Sequence, residues 1–307
     1  MQPLNFAKTN PYVFSKTSFV ILFARGGLGN QFFQYVAARQ AAPKAIPICI
    51  HFGQLESCLS NLNSPKDINL QSLVLRRVFT KLGRLKTTHL AQKYRILGCI
   101  AEQRHVVDTS LVYSSGCLPL FAVTDGFFQS ESFINSARIQ DYPIRVNLIE
   151  KARKWLAMHI DNRETPIFLH IRRGDYVTWP TKSYPAVLPF TWYLHQIRYF
   201  LLRNPSAHFV VLSDDWPYVE EFFAGMDFSF SIFRGTSLED FTLMTQCSGG
   251  GILSASTFAW WAAWYGSQIF LNAKYIAPRF WGGWREHRWY PPGIQTSWLE
   301  YADVDIK

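Results

Sequence analysis

The apolar run Ile167-Phe168-Leu169-His170-Ile171 breaks abruptly into Arg172-Arg173-Gly174-Asp175-Tyr176. A short apolar segment ended by a glycine-containing polar loop reads as a buried strand with chemistry at its carboxyl end. The pattern repeats downstream. Residues 190–202 have a helical period closed by Asn204-Pro205, 208–212 read as a strand, 216–223 as a short helix and 228–233 as a strand. A helix over 238–247, a strand over 251–254, a helix over 257–265 and a last strand over 269–271 complete the series. Such alternation predicts βαβ units around a parallel sheet, which binds ligands beyond the carboxyl ends of its strands.

Three segments fall at those predicted ends. Arg172 and Arg173 offer guanidinium forks suited to phosphate, with Gly174 permitting the turn and Asp175 able to orient a guanidinium. After the next strand comes Ser213-Asp214-Asp215, whose carboxylates suit a ribose or a base. Ser254-Ala255-Ser256-Thr257-Phe258 opens a helix, and free amides at a helix start cradle anions. Each segment also has a purely structural reading: an internal salt bridge at 172–175, and helix caps at Asp215 and at Ser256 or Thr257. Anion-suited chemistry at three successive strand ends favours a ligand site over three separate structural uses.

Upstream, an apolar strand at 19–23 leads through Arg25-Gly26-Gly27-Leu28-Gly29-Asn30-Gln31 into a helical pattern over 32–42. The glycines allow close backbone approach, but the spacing is neither GxGxxG nor GxxxxGK[ST], so dinucleotide and Walker assignments fail. A helix over 151–160 precedes the polar, proline-ended connection Asp161-Asn162-Arg163-Glu164-Thr165-Pro166, which places a domain boundary near residue 160. The expected organisation is residues 1–160 and 161–307.

The 307 residues are 48% hydrophobic and 17% charged, which describes a packed globular chain. The net charge of +9 is uneven: residues 1–155 carry 19 Lys+Arg against 8 Asp+Glu, whereas the remainder sums to −2. The cations crowd into 76–104, where Leu75, Val78, Phe79, Leu82 and Leu85 supply a helical period. That is the pattern of a basic amphipathic helix, read either as a solvated face or as a contact for an anionic membrane or acidic partner. Five cysteines without a CxxC pair argue for a reducing compartment rather than a disulfide framework. His and Cys show no metal-ligand spacing, so no metal is expected. Lys8 and Lys16 precede an apolar run over 19–24 that is too short for a secretory core or for the roughly 20 residues that span a bilayer. Residues 241–273 lack charge altogether but are broken by Gln246, Ser248 and Gly249-Gly250-Gly251, and read as helix, strand, helix, strand inside a core. A soluble cytoplasmic protein is expected, with a peripheral position on the inner face of the membrane kept open.

Gly26–Tyr35, His170–Tyr176 and Ser256-Thr257-Phe258-Ala259-Trp260-Trp261 together resemble the signature blocks of the α-1,2-fucosyltransferases, glycosyltransferase family 11. Gly126-Phe127-Phe128-Gln129-Ser130-Glu131 and Ser213-Asp214-Asp215 are similar to two further blocks, and the resemblance runs in order from about residue 20 to 280. It implies a GT-B-like α/β fold of two Rossmann-type domains facing a central cleft, with GDP-L-fucose held mainly by the C-terminal half. It implies metal-independent, inverting transfer to the 2-hydroxyl of a terminal galactose. By this resemblance Arg172 holds the β-phosphate, Asn30 lies near the reaction centre, and Asp175 joins them as a catalytic candidate. Gly29, His170, Arg173, Gly174, Asp214, Asp215, Ser254, Ser256, Thr257 and Phe258 complete the expected donor site. Gln129, Glu131 and Tyr176 are the expected acceptor contacts. The group that takes the acceptor proton stays open among Asp175, Glu131 and a phosphate oxygen. Two departures, Val36-Ala37-Ala38-Arg39 and Ala255, bear on local packing and donor contacts. Partners are then GDP-L-fucose and galactoside glycans, with no nucleic acid and no cofactor; oligomeric state is not legible. Rival readings are another GDP-sugar transferase, an O-fucosyltransferase with a different acceptor, and a non-catalytic nucleotide- or sugar-binding module.

Overall fold

The structure, a computed structural model, describes residues 18–62, 70–105 and 109–305. Its first half runs β1 (Phe19–Phe23), α1 (Leu28–Ala41), β2 (Ile46–Ile50), α2 (Gly53–Cys58), α3 (Leu70–Gln92), β3 (Gly98–Arg104), β4 (Thr109–Ser114) and β5 (Leu120–Val123). These strands form one sheet in the order β2-β1-β5-β3-β4, parallel except for the β3–β4 pair. Helix α4 (Val146–His159) leads to the second half: β6 (Thr165–Ile171), α5 (Phe190–Arg203), β7 (Ala207–Ser213), α6 (Trp216–Phe223), β8 (Phe230–Ile232), α7 (Ser237–Thr245), β9 (Gly250–Leu253), α8 (Thr257–Ile269), β10 (Lys274–Pro278) and β11 (Glu300–Ala302). All six strands of this sheet pair in parallel, in the order β11-β10-β9-β6-β7-β8. Every residue of β7 is buried, as a parallel strand covered by helices on both faces requires.

The two sheets are joined through aromatic packing of α1 against α8. Phe32 stacks on Trp261 with ring centroids 5.0 Å apart, Phe33 lies 4.8 Å from Trp260, and Phe241 of α7 lies 5.3 Å from Phe32. All five rings are fully buried. The Phe-Phe and Trp-Trp pairs of two widely separated sequence blocks therefore meet as core, and the polar residues just before each pair are left at the cleft. Helix α4 packs toward the second sheet, with Trp155 5.0 Å from Phe233 and Arg153 Nε donating to Gln246 Oε1 at 2.9 Å.

Three sequence expectations need correction. The last strand is β10, not 269–271: Ile269 ends α8 and Leu271 is 89% exposed, while Tyr275, Ile276 and Ala277 are buried between β9 and β11. Helix α1 starts at Leu28, so Gly29 and Asn30 lie in its first turn rather than in a preceding loop. The basic 76–104 segment is not one helix. α3 breaks at Gly83, where φ is 75°, ends at Gln92, and β3 takes over the remainder. Of the predicted apolar stripe Phe79 is buried and Leu75 and Leu82 half-buried, but Val78 and Leu85 face outward. Strands β2 to β5 were not among the expected elements; β3 and β4 form an antiparallel pair with several polar or partly exposed residues and so lack a buried apolar run.

Cys49, Cys58, Cys99 and Cys247 are buried free thiols, and Cys117 is an exposed one. Lys8 and Lys16 lie outside the described residues. Among the described residues no helix is long and apolar enough to cross a membrane.

Candidate active site

A cavity of about 430 Å³ opens between the two sheets. The second half supplies residues from the carboxyl ends of its strands: His170, Arg172, Asp175 and Tyr176 after β6, Asp214 after β7, and Ser256, Thr257 and Phe258 after β9. The first half closes it with Gly26 to Asn30 and Gln54.

Two helix starts face this space. At the N-terminus of α1 the cap is Gly27, and at α8 it is Ser256; neither has a side chain bonded to the first amides, and neither first turn holds an acid. Those amides and the positive end of each helix dipole are disposed toward an anion. Helix α7, by contrast, is closed by a capping box between Thr236 and Glu239.

Arg172 is the cation of the cavity. Its Nη1 lies 2.9 Å from Asp214 Oδ2 and its Nη2 2.6 Å from Asp175 Oδ1, and its main-chain N–H donates to Ser254 Oγ at 2.8 Å. Burial works against its charge, but Asp214 and Asp175 outweigh burial and hold the guanidinium above its ordinary pKa. It stays a cation at any working pH, fastened on one side and able to exchange Asp175 for a phosphate oxygen on the other. His170 is pushed down to about 3 by burial and by Arg172, so it is a neutral imidazole, and its buried Nδ1 has no hydrogen-bond partner. A buried polar atom without a partner is costly, and a ligand group at this wall would satisfy it.

Asn30 ties the halves together. Its Oδ1 accepts from Gln129 Nε2 at 2.7 Å and from Thr257 Oγ1 at 3.1 Å, which leaves the amide hydrogens as the donors it can offer to a ligand. Gly29 beside it has no room for a side chain, since a Cβ would lie 2.5 Å from the Phe258 nitrogen.

A second pocket of about 220 Å³ adjoins the first and shares Asn30, Asp175, Tyr176 and Thr257 with it. Gln129 and the rings of Phe127, Trp179, Trp281 and Tyr290 line the rest, with Arg104 at one side. The 126–128 turn that presents Phe127 and Gln129 is held by Glu102, whose Oε2 accepts from the Phe127 and Phe128 amides at 2.9 and 3.2 Å. Gly126 there has φ 107°, and a Cβ would collide with Glu102.

Several expected residues stand elsewhere. Arg173 is turned away from the cavity, with Nε 2.9 Å from Asp215 Oδ2 and its guanidinium 3.6 Å above the Tyr218 ring. Asp215 caps α6 by accepting from the Tyr218 amide, so its structural reading holds. Ser254 is buried and accepts from the Arg172 amide while donating to His170 O, which makes it a support for the loop. Gly174 does not line the cavity either. Glu131 faces a different cavity and is bound to Ser297, so it stands apart from Arg172.

Sequence reasoning missed Asp240, which lines the first cavity one residue beyond the capping-box Glu239. Burial raises its carboxyl to about 7, against the pull of the Gly235 amide that it accepts from at 3.1 Å. The available signal was Thr236-Ser237-Leu238-Glu239, a helix start that places Asp240 in the first turn of α7 at the cleft. The aromatic residues Trp179, Trp281 and Tyr290 carried no signal. Among the described residues, no three His, Cys, Asp or Glu side chains group as metal ligands.

Two α/β halves, with the cavity at the strand ends between them, have the GT-B arrangement. The chain belongs to glycosyl transferase family 11, whose profile matches residues 116–277. It is 27% identical over 287 residues to the O-antigen biosynthesis glycosyltransferase WbnK of Escherichia coli, spanning 83% of this chain and 92% of that protein. It is 33% identical over 153 residues to galactoside alpha-(1,2)-fucosyltransferase 2 of Pongo pygmaeus, covering 46% of this chain and 43% of that protein, less than half its length. Among solved structures, POFUT1 in complex with GDP is similar in fold, with a TM-score of 0.53, 12% identity, and coverage of 86% of this chain and 99% of that one.

Proposed function

We propose that this chain transfers L-fucose from GDP-L-fucose to the 2-hydroxyl of a terminal β-galactoside, with inversion and without a metal ion. The observation that carries the reading is Arg172, the cation of a polar cavity on which two uncapped helix starts converge, beside an aromatic pocket that shares Asn30, Asp175, Tyr176 and Thr257 with that cavity. The named fucosyltransferase relative and the signature blocks support the choice of sugar and linkage.

In this reading the pyrophosphate lies against the starts of α1 and α8. Charge that develops on departing GDP is met by Arg172 and the helix amides, which are already oriented and need no reorganisation. As the C1–O bond to phosphate lengthens, the fucosyl ring takes on oxocarbenium character, and the acceptor hydroxyl attacks from the opposite face. The aromatic pocket suits a pyranose, offering rings to its C–H faces and Gln129 and Tyr176 to its hydroxyls. Asp175 lies at the junction of both spaces and is the carboxylate positioned to take the hydroxyl proton; Glu131 is too remote for that role.

Asp240 suits the guanine edge, whose N–H donors need an ionised carboxylate. The sign of the pH effect follows from its raised pKa. The folded protein holds this proton more tightly than the unfolded chain, so the associated stability is lost as pH rises toward 7, while the acceptor form needed by guanine is gained. GDP-fucose carries no phosphate titrating in that range. Its Kd, measured by calorimetry, is expected to be about tenfold weaker at pH 6 than at pH 8. Asp240→Asn should flatten that dependence, and an unchanged profile in the variant would remove Asp240 from base recognition.

Donor choice tests the reading itself. GDP-fucose should be turned over, with little activity on GDP-mannose, and the rate should survive excess EDTA. Preference for GDP-mannose, a strict Mg²⁺ requirement, or GDP binding without turnover would each contradict it.

A further inference from the structure

The largest cavity among those described takes no part in the chemistry above. It measures about 720 Å³ and lies between residues 130–135 and 289–297. Its position is informative, because on both sides the chain passes from the acceptor pocket to this cavity within one residue. Gln129 and Tyr290 line that pocket, whereas the adjacent Ser130 and Trp289 line this cavity. Its polar groups are hydroxyls and amides, from Ser132, Asn135, Gln295 and Thr296, beside the half-buried indole of Trp289. Glu131 is its only charged residue, and the Ser297 amide and hydroxyl donate to it at 3.1 and 3.3 Å. With a carboxylate and no cation, the space is unsuited to phosphate or acidic sugars. Uncharged donors and acceptors around one aromatic face match a neutral saccharide, and the volume lies within the roughly 300–1,000 Å³ of small-ligand sites.

The geometry points to a second carbohydrate subsite, which holds the neutral sugars next to the terminal galactose of an oligosaccharide acceptor. This rests on the galactoside reading, and the test separates the two. kcat/KM would be compared for methyl β-galactoside and for a neutral, galactose-terminated tetrasaccharide. The wild-type protein should favour the tetrasaccharide by about tenfold or more. Asn135→Ala/Gln295→Ala, which removes two exposed side chains, should bring that ratio close to one with methyl galactoside turnover unchanged, and Trp289→Ala should act in the same direction. A wild-type ratio near one, or a ratio that survives both variants, overturns the subsite while leaving galactoside transfer standing. Failure to use either galactoside refutes the underlying reading, and the subsite with it.

A separate observation concerns α3. Leu70, Leu73, Val74 and Val78 are 78, 43, 49 and 45% exposed, and share one face with the exposed Arg77 and Lys81; Phe79 is buried on the other. No acid occurs from Leu70 to Gln92. We infer that this face docks on an anionic lipid surface, because its cations complement anionic headgroups and its apolar side chains suit the headgroup boundary. The protein should co-sediment with phosphatidylcholine vesicles containing phosphatidylserine at low salt, and less at high salt. Arg77→Glu/Lys81→Glu should abolish this without changing turnover of a soluble acceptor. Absence of binding, equal binding to neutral vesicles, or a dimer that the same variant dissociates would overturn lipid docking.

Discussion

Arg172→Ala is expected to lower kcat/KM by at least about 10²-fold, the scale on which removing one preorganised transition-state donor acts. The side chain is the cation of the donor cavity, and Asp175 and Asp214 already hold it in position. Its removal also leaves those two carboxylates unpaired beside the pyrophosphate position, so repulsion adds to the lost attraction. Arg172→Lys keeps the charge but loses the planar fork, and should recover only part of the rate. The fold should survive either change, since the side chain is 36% exposed and anchors no core residue. Steady-state kinetics with GDP-fucose, alongside circular dichroism, check both halves of the expectation. Near-wild-type turnover in a folded Arg172→Ala protein would remove the guanidinium from the mechanism.

Gly29→Ala should produce the second largest loss, through packing rather than chemistry. A Cβ at Gly29 would lie 2.5 Å from the Phe258 nitrogen, against main chain that cannot rotate aside. The two helix starts must separate, and Asn30 then loses its grip on Thr257. Overpacking of this kind typically costs about 1–3 kcal/mol, and sometimes more. A melting temperature lower by several degrees follows from about 2–4 °C per kcal/mol. Turnover should fall at least about tenfold in whatever protein remains folded, because a small displacement of positioned groups is enough for that. A variant with wild-type stability and rate would show that the α1–α8 contact does not set the cleft.

The contrast between these residues explains which parts of the molecule were readable from sequence. The second sheet announced itself because its parallel strands are buried on both faces, so β6 and β7 form short apolar runs between glycine- and proline-marked loops. Strands β3 and β4 lacked that contrast. The error at 269–271 has the same root, since an apolar triplet does not say whether it ends a helix or enters a sheet. At the site, the residues legible in sequence are those whose chemistry lies next to a strand end: Arg172, Asp214 and Thr257. Arg173 and Asp215 look identical in the string to Arg172 and Asp214. Only the turn after β6 sends one guanidinium into the cleft and the other onto Tyr218. The aromatic acceptor pocket was invisible because Phe127, Trp179, Trp281 and Tyr290 come from three separate connections and converge only in the folded chain. Glu102 is the only acid between Arg76 and Arg104 in the sequence, and its role appears only once the 126–128 amides are placed on its carboxylate.

The most direct measurement is the linkage formed when the purified protein is incubated with GDP-fucose and a panel of β-galactosides, including lactose and N-acetyllactosamine, with the product read by NMR. The proposed mechanism predicts a single new α-linked fucose on the 2-hydroxyl of the terminal galactose, formed equally well in EDTA. Fucose attached to any other hydroxyl, a β-linked product, or no transfer to any galactoside would contradict it.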